Sequence, residues 1–268
     1  MKNEWLAHIK KTTAEEGSLA TKDERGKSIV IEWKRADILS PSLAHFKSSI
    51  CDLASKEIAP AEVQFLRAYP EAAPQELFLK ACVPLLKNGV GAADWAAIEE
   101  KIQATIKQFY LADLSQFGPE VIKPLMNDLY FFGTVKNKGE DQVCGFLTFA
   151  ITPALPFGNI KVVNLLASSE ECGRGLEKAM LSSIFKLLPQ TKRIFLFVRP
   201  TNKIALEMYK ALEFVPDIDL LLDPNHKVNI NYLTPLEYRI ELGQILQKTV
   251  FESEHQLRNE LSTRGALK

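Results

Sequence analysis

Four short apolar runs, each rich in β-branched and aromatic residues, are spaced along the second half of the chain: "LYFFGTVK" (129–136), "QVCGFLTFAI" (142–151), "IKVVNLLAS" (160–168) and "RIFLFV" (193–198). The first three are joined by the turn "NKGED" and by a loop with two prolines, connections too short for a crossover, so they predict an antiparallel meander. Apolar positions then change to helical spacing, which predicts helices over Leu176–Leu188 and Lys203–Leu212.

The first half reads differently. "SIVIEWKRA" (28–36) alternates and predicts a strand; "SPSLAHFKSSICDLASKEI" (40–58) predicts a helix opened by Ser40 and Pro41, with Leu43, Phe46, Ile50 and Leu53 on one face. From Ala59 to Asp128 the pattern stays helical, broken at Pro70, Pro74, Pro84, "NGVG" and "FGPE". Its clearest piece is Asp94–Leu111, where Trp95, Ile98, Ile102, Ile106, Phe109 and Tyr110 line one side. Residues 1–27 are polar and glycine-punctuated and read as an N-terminal arm with at most a short amphipathic helix. Past Leu236, the intervals between Leu242, Ile245, Leu246 and Val250 predict a C-terminal helix.

Composition narrows the function classes. With 268 residues, 46% of them hydrophobic, the chain can bury the core of one large domain bearing an insertion. Basic and acidic residues each number 33, so no overall field draws a polyanion, and nucleic acid is not expected as a partner. Cys51, Cys82, Cys144 and Cys172 form no CxxC pair, which argues against a zinc site or a disulfide framework and for a reducing compartment. The start "MKNEWLAHIKK" lacks an apolar signal core, and no run approaches the roughly 20 apolar residues that cross a bilayer. The expectation is a soluble cytoplasmic protein with no membrane partner and no metal.

The chemistry concentrates in "LLASSEECGRGLEKAML" (165–181), a strand end that passes through Gly173 and Gly175 into a helix. Unpaired N–H groups in a first helical turn, with the macrodipole behind them, attract an anion, and glycine lets a phosphate reach them. A second stretch, "LFVRPTNKIALEMYKALEF" (196–214), joins a strand to a helix bearing Ala205 and Tyr209.

Together the two stretches resemble the GNAT superfamily of acyl-CoA-dependent N-acyltransferases. The family's pattern LxVxPExRGxGxGxxLL lies without gaps on Leu165–Leu181; its pattern LxVxxxNxxAxxxYxxxGF lies on Leu196, Val198, Asn202, Ala205, Tyr209 and Phe214. The resemblance covers 129–214 firmly and admits 28–58 as the family's first strand and helix. It implies an α+β fold: a mixed, mostly antiparallel central sheet flanked by helices, with residues 59–128 as a helical insertion, 129–238 as the GNAT core and 239–268 as the C-terminal helix. It also implies acetyl-CoA as co-substrate. In the family a bulge splays the strand before the turn, and the pantetheine arm pairs there, here along Leu165, Leu166 and Ala167. The diphosphate would lie on the N–H groups of Cys172, Gly173, Arg174, Gly175, Leu176 and Glu177. Asn202 would position the cofactor, and Tyr209 would be the general acid that protonates the departing thiolate. The acceptor would be an amine of a small molecule or a protein.

Among the departures from the patterns, Cys172 replaces arginine or glutamine, Glu177 replaces glycine or alanine, and Glu213 replaces glycine. A carboxylate about 6 Å from a phosphate charge costs roughly 0.7 to 3 kcal/mol as the effective dielectric falls from about 80 to about 20, a cost that Arg174 could offset. No carboxylate stands on 160–168, which leaves the base unassigned, with Glu170 and Glu171 candidates by proximity. The alternative is a degenerate GNAT-fold protein that binds CoA or a partner without transferring acetyl. The helical block is open to a role in a homodimer interface or as a lid.

Overall fold

The computed structural model describes residues 4–74, 78–111, 128–152, 158–198, 201–212, 214–216 and 244–249. The chain divides into two compact units, Met1–Leu53 with Leu114–Phe195 and Lys248–Lys268, and Ala54–Asp113 with Leu196–Gln247.

The first unit is built on five strands, β1 (Glu16–Lys22), β2 (Ser28–Ala36), β3 (Leu129–Asn137), β4 (Val143–Ile151) and β5 (Asn159–Ala167). They lie side by side in chain order, and each neighbouring pair is antiparallel. β3, β4 and β5 each begin and end within one residue of the sequence reading, because alternation and turn residues mark both ends. Helix α4 (Leu176–Leu187) packs against β3, β4 and β5. The fold is thus α+β around an antiparallel sheet.

The N-terminal arm is a correction. Glu4–Thr12 forms helix α1, and Glu16–Lys22 forms β1, paired with β2 from Glu16–Lys34 to Lys22–Ser28. α1 is short but anchored: Trp5 and Ile9 are buried, and Arg35 donates from Nη1 to the carbonyls of Ile9, Lys10 and Thr13 at the helix end. β1 escaped notice because an edge strand with one solvated face needs few apolar residues; its exposed positions alternate with half-buried Gly17 and Leu19 and buried Thr21.

The second unit holds helix α3 (Trp95–Leu111), with Ile98, Ile102, Ile106 and Tyr110 buried as their spacing predicts. Asp94 caps α3 by accepting from the amides of Ala96 and Ala97, and Arg67 stacks over the Trp95 ring at 4.7 Å. Helix α2 (Ala44–Ala68) continues through Pro60, past the boundary expected at residue 58. Ala59, Val63, Phe65 and Leu66 are buried on its later turns, and this packing holds the helix together across the missing proline N–H. β6 (Arg193–Val198) and helix α5 (Lys203–Ala211) fall where the pattern puts them. The C-terminal helix is corrected where the tail is described: Gln244–Thr249 is a strand, β8, paired with β7 (Val215–Pro216) through Val215–Gln247 and Pro216–Leu246. Pairing supplies the backbone partners that the local helical spacing of Leu242, Ile245 and Leu246 could not foresee. Glu213 and the remaining tail lie outside the described residues. No helix among the described residues is long and apolar enough to cross a membrane.

Candidate functional site

β5 carries an irregularity where the motif begins. Thr148 on β4 faces Asn164, but the next residue, Phe149, faces Val162, so Val163 is an extra residue bulged out of the ladder. Val163 is also 41% exposed, unlike its neighbour Val162. Beyond the bulge Leu165, Leu166 and Ala167 pair with Leu147, Phe146 and Gly145. Gly145 has to be glycine: a Cβ there would lie 2.7 Å from the Leu166 carbonyl oxygen.

The chain then turns through a short 3-10 segment, Ser169–Glu171, whose cap Ser168 accepts from the amide of Glu170. Gly173 (φ 73°) and Gly175 (φ 68°) are both left-handed, and α4 starts at Leu176. Conformation is only half of the reason for these glycines. The turn between β1 and β2 lies against them: a Cβ on Gly173 would come 3.2 Å from Arg25 Nη2, and one on Gly175 would collide with the Glu24 side chain.

A cluster of side chains centred on Arg174 fastens that turn to the glycine loop. Arg174 is 3% exposed and donates from Nε to Asp23 Oδ2 (2.5 Å), from Nη1 to Glu171 Oε2 (2.6 Å) and from Nη2 to Asn137 Oδ1 (2.8 Å). Two further bonds add to this: the Glu24 amide donates to the Arg174 carbonyl and the Arg25 side chain, through Nη2, to the Cys172 carbonyl, each at 2.9 Å. Burial pushes the Asp23 carboxyl up, but the hydrogen bonds from Arg174 and the amides of Lys27 and Arg25 outweigh it and leave the group below its ordinary value. Glu171 is held down first by its bond to Arg174, which makes it a poor base. The side chain of Arg174 is committed within the protein, leaving its backbone amide for the turn.

Glu177 lies in the first turn of α4. Burial raises its carboxyl most, and Glu24 raises it further; its own backbone N–H pulls the other way. Glu24 is itself paired with Lys178 at 3.5 Å. Two carboxylates therefore reach the helix entrance. Cys172 is exposed, whereas Cys144 is buried with its thiol directed to Glu171 at 3.8 Å.

In the second unit Asn202 caps α5, its Oδ1 accepting from the Ala205 amide at 3.1 Å. Tyr209, on the same helix, is 5% exposed and its ring lies 5.4 Å from that of Phe214.

Residues 97–214, from within α3 to the residue before β7, match the model of the acetyltransferase (GNAT) family. That stretch, less than half of the chain, is similar to the GNAT acetyltransferase domain. That match starts inside the helical block and takes in most of α3. No curated protein sequence matches the chain. Among solved structures, the PaiA N-acetyltransferase of Thermoplasma acidophilum, solved with coenzyme A, is similar at 13% identity over 82% of this chain and 98% of that one, with a TM-score of 0.41. An uncharacterized protein of Bacillus halodurans is similar at 11% identity over 94% of this chain and 100% of that one, with a TM-score of 0.43.

The residues that sequence reasoning missed at the glycine loop are Asp23, Glu24 and Arg25, in "TKDERGKS". An Asp with a Gly three positions on is a turn signal, but nothing local says that the turn meets residue 174.

Proposed function

We propose that this chain transfers an acetyl group from acetyl-CoA directly to an amine of a small molecule or a protein. The observation that supports the reading is one continuous path of backbone: a strand bulged at Val163, a turn with Gly173 and Gly175 both left-handed, and a helix beginning at Leu176. Leu165, Leu166 and Ala167 would pair with the amides of the pantetheine arm, and the N–H groups from Cys172 to Glu177 would take the diphosphate.

In this reading the amine nitrogen attacks the thioester carbon, the new C–N bond forms, and the C–S bond breaks. The protein's contribution is to hold the two reactants together and to manage protons. Tyr209 is assigned the proton that goes to sulfur, since a phenol with a reference pKa of about 10 stays protonated near neutrality and matches a thiolate in basicity. Asn202, as the cap of α5, positions the helix that carries Tyr209. Calorimetry with acetyl-CoA, followed by thiol release in the presence of a panel of amines, tests the reading; a protein that binds no acetyl-CoA has lost it.

A second reading is favoured by one observation, the carboxylates of Glu24 and Glu177 at the entrance of α4. A turn so provided with its own anions suits a GNAT-fold scaffold that no longer turns over. Tight acetyl-CoA binding without thiol release for any amine would favour a CoA-binding scaffold, and no binding at any pH an interaction scaffold.

A further inference from the structure

The sheet carries a second polar cluster, next to the bulge and apart from the glycine turn. Tyr130, Ala150 and Lys161 face one another across β3, β4 and β5 in a single row. Residues in one row share a face, and Phe131, stacked on Phe149 at 4.6 Å, belongs to the other. The small middle residue leaves room above β4 for the long side chains on either side. Asp128, two positions before Tyr130, accepts a hydrogen bond from the Tyr130 phenol and lies within the field of Lys161. The next row on this face is Phe132, Thr148 and Asn164. Thr148 is 2% exposed, and its Oγ1 has no hydrogen-bond partner among the described residues. A buried hydroxyl without a partner signals a missing one, a bound molecule or water. Val163, the bulged residue, separates the two rows on β5.

We propose that Asp128 is the proton acceptor for the attacking amine, held by Tyr130 and Lys161, with Thr148 beside it lining the amine's seat. The proposal rests on the acetyl-transfer reading and supplies the base which that reading lacks.

The chemistry of the cluster fits this work. Burial raises the Asp128 carboxyl to about 6, while Lys161 and the Tyr130 hydroxyl hold it from rising further. Such a carboxyl is ionised at neutrality yet more basic than an ordinary aspartate. Burial also lowers Lys161 and raises Tyr130, so the same dry surroundings would bring an incoming amine down from its usual value near 10.4 toward the carboxyl. The amine enters as an ammonium ion and gives one proton to Asp128. Its nitrogen then attacks the thioester carbon. The second nitrogen proton replaces the one that Tyr209 delivers to sulfur, and Asp128 releases its proton to solvent.

The test uses the full chain labelled with ¹³C in its aspartate carboxyls and n-butylammonium chloride as probe, with n-butanol and sodium chloride as controls. The Asp128 resonance is expected to titrate near 6 and to move saturably with butylammonium alone. Tyr130→Phe and Lys161→Met should each raise its midpoint while the protein stays folded by circular dichroism. n-Butylamine is also offered as acceptor with acetyl-CoA. If thiol is released, Asp128→Asn should lower kcat/KM by about 10²-fold or more and remove the acid limb of its pH profile, with acetyl-CoA affinity unchanged. An unmoved limb overturns the proposal. If no thiol is released, the titration decides, and a butylammonium shift that is absent or matched by sodium chloride overturns it. Acetyl-CoA calorimetry is read separately: loss of that binding removes the acetyl-transfer reading, whatever the butylammonium result.

Discussion

Arg174 and Asp23 stand 151 positions apart in the sequence and meet through a 2.5 Å bond from Nε to Oδ2, their side chains 4% and 0% exposed. The pair joins the turn between β1 and β2 to the loop that opens α4. A helix entrance offered to an anion has to keep its amides in place without help from helical hydrogen bonds. Here the restraint comes from behind, through a guanidinium whose other nitrogens reach Glu171 and Asn137.

Removing one partner should be severe. Asp23→Ala leaves a buried guanidinium with a carboxylate missing, and a loss of about 3 to 5 kcal/mol is expected in urea unfolding. The pH sign follows from the lowered Asp23 carboxyl. Its stabilisation is present above the unfolded-state pKa of about 3.9 and is lost as pH falls through the folded value. The wild type should therefore destabilise in acid more steeply than the variant.

Glu177 gives the opposite sign. Its carboxyl is raised, so the folded state holds its proton more firmly than the unfolded one, and ionisation at neutrality works against folding. Glu177→Gln should be more stable than wild type at neutral pH, with the gain vanishing as pH falls through the raised value. Acetyl-CoA affinity should likewise rise in wild type on acidification and be tighter in the variant by roughly three-fold to a hundred-fold, the range that follows from about 0.7 to 3 kcal/mol of repulsion. Calorimetry across pH checks both; a pH-independent affinity equal in the two proteins separates Glu177 from the diphosphate.

Gly175 and Gly139 are both left-handed, but only Gly175 has a neighbour where a Cβ would go. Gly139→Ala should cost about 1 to 2 kcal/mol, the backbone part alone. Gly175→Ala should cost more, because the Glu24 side chain must move as well. Equal shifts in the unfolding midpoint of the two variants would show that Glu24 is not packed there.

Tyr209→Phe tests the assigned acid. Turnover should fall by about 10²- to 10⁴-fold, with calorimetric affinity for acetyl-CoA unchanged. The ring contact with Phe214 survives in phenylalanine. Unaltered turnover transfers the proton to another donor.

The sequence by itself determined the local pieces. Alternating runs gave β3, β4 and β5 nearly to the residue, helical spacing gave α3, α4 and α5, and the passage from strand to helix through Gly173 and Gly175 lies where the sequence puts it. These follow from short-range rules of pleat, helical pitch and glycine conformation, all of which act within a few residues. Tertiary structure alone decided that the polar N-terminal segment is a paired edge strand, that 244–249 pairs with 215–216 rather than coiling, and that Arg174 turns inward to Asp23. It also decided which strands lie side by side, and so set Asp128, Tyr130 and Lys161 together over Ala150. Each of these depends on a partner far along the chain, and a sequence window holds a residue's own propensities but none of its distant neighbours.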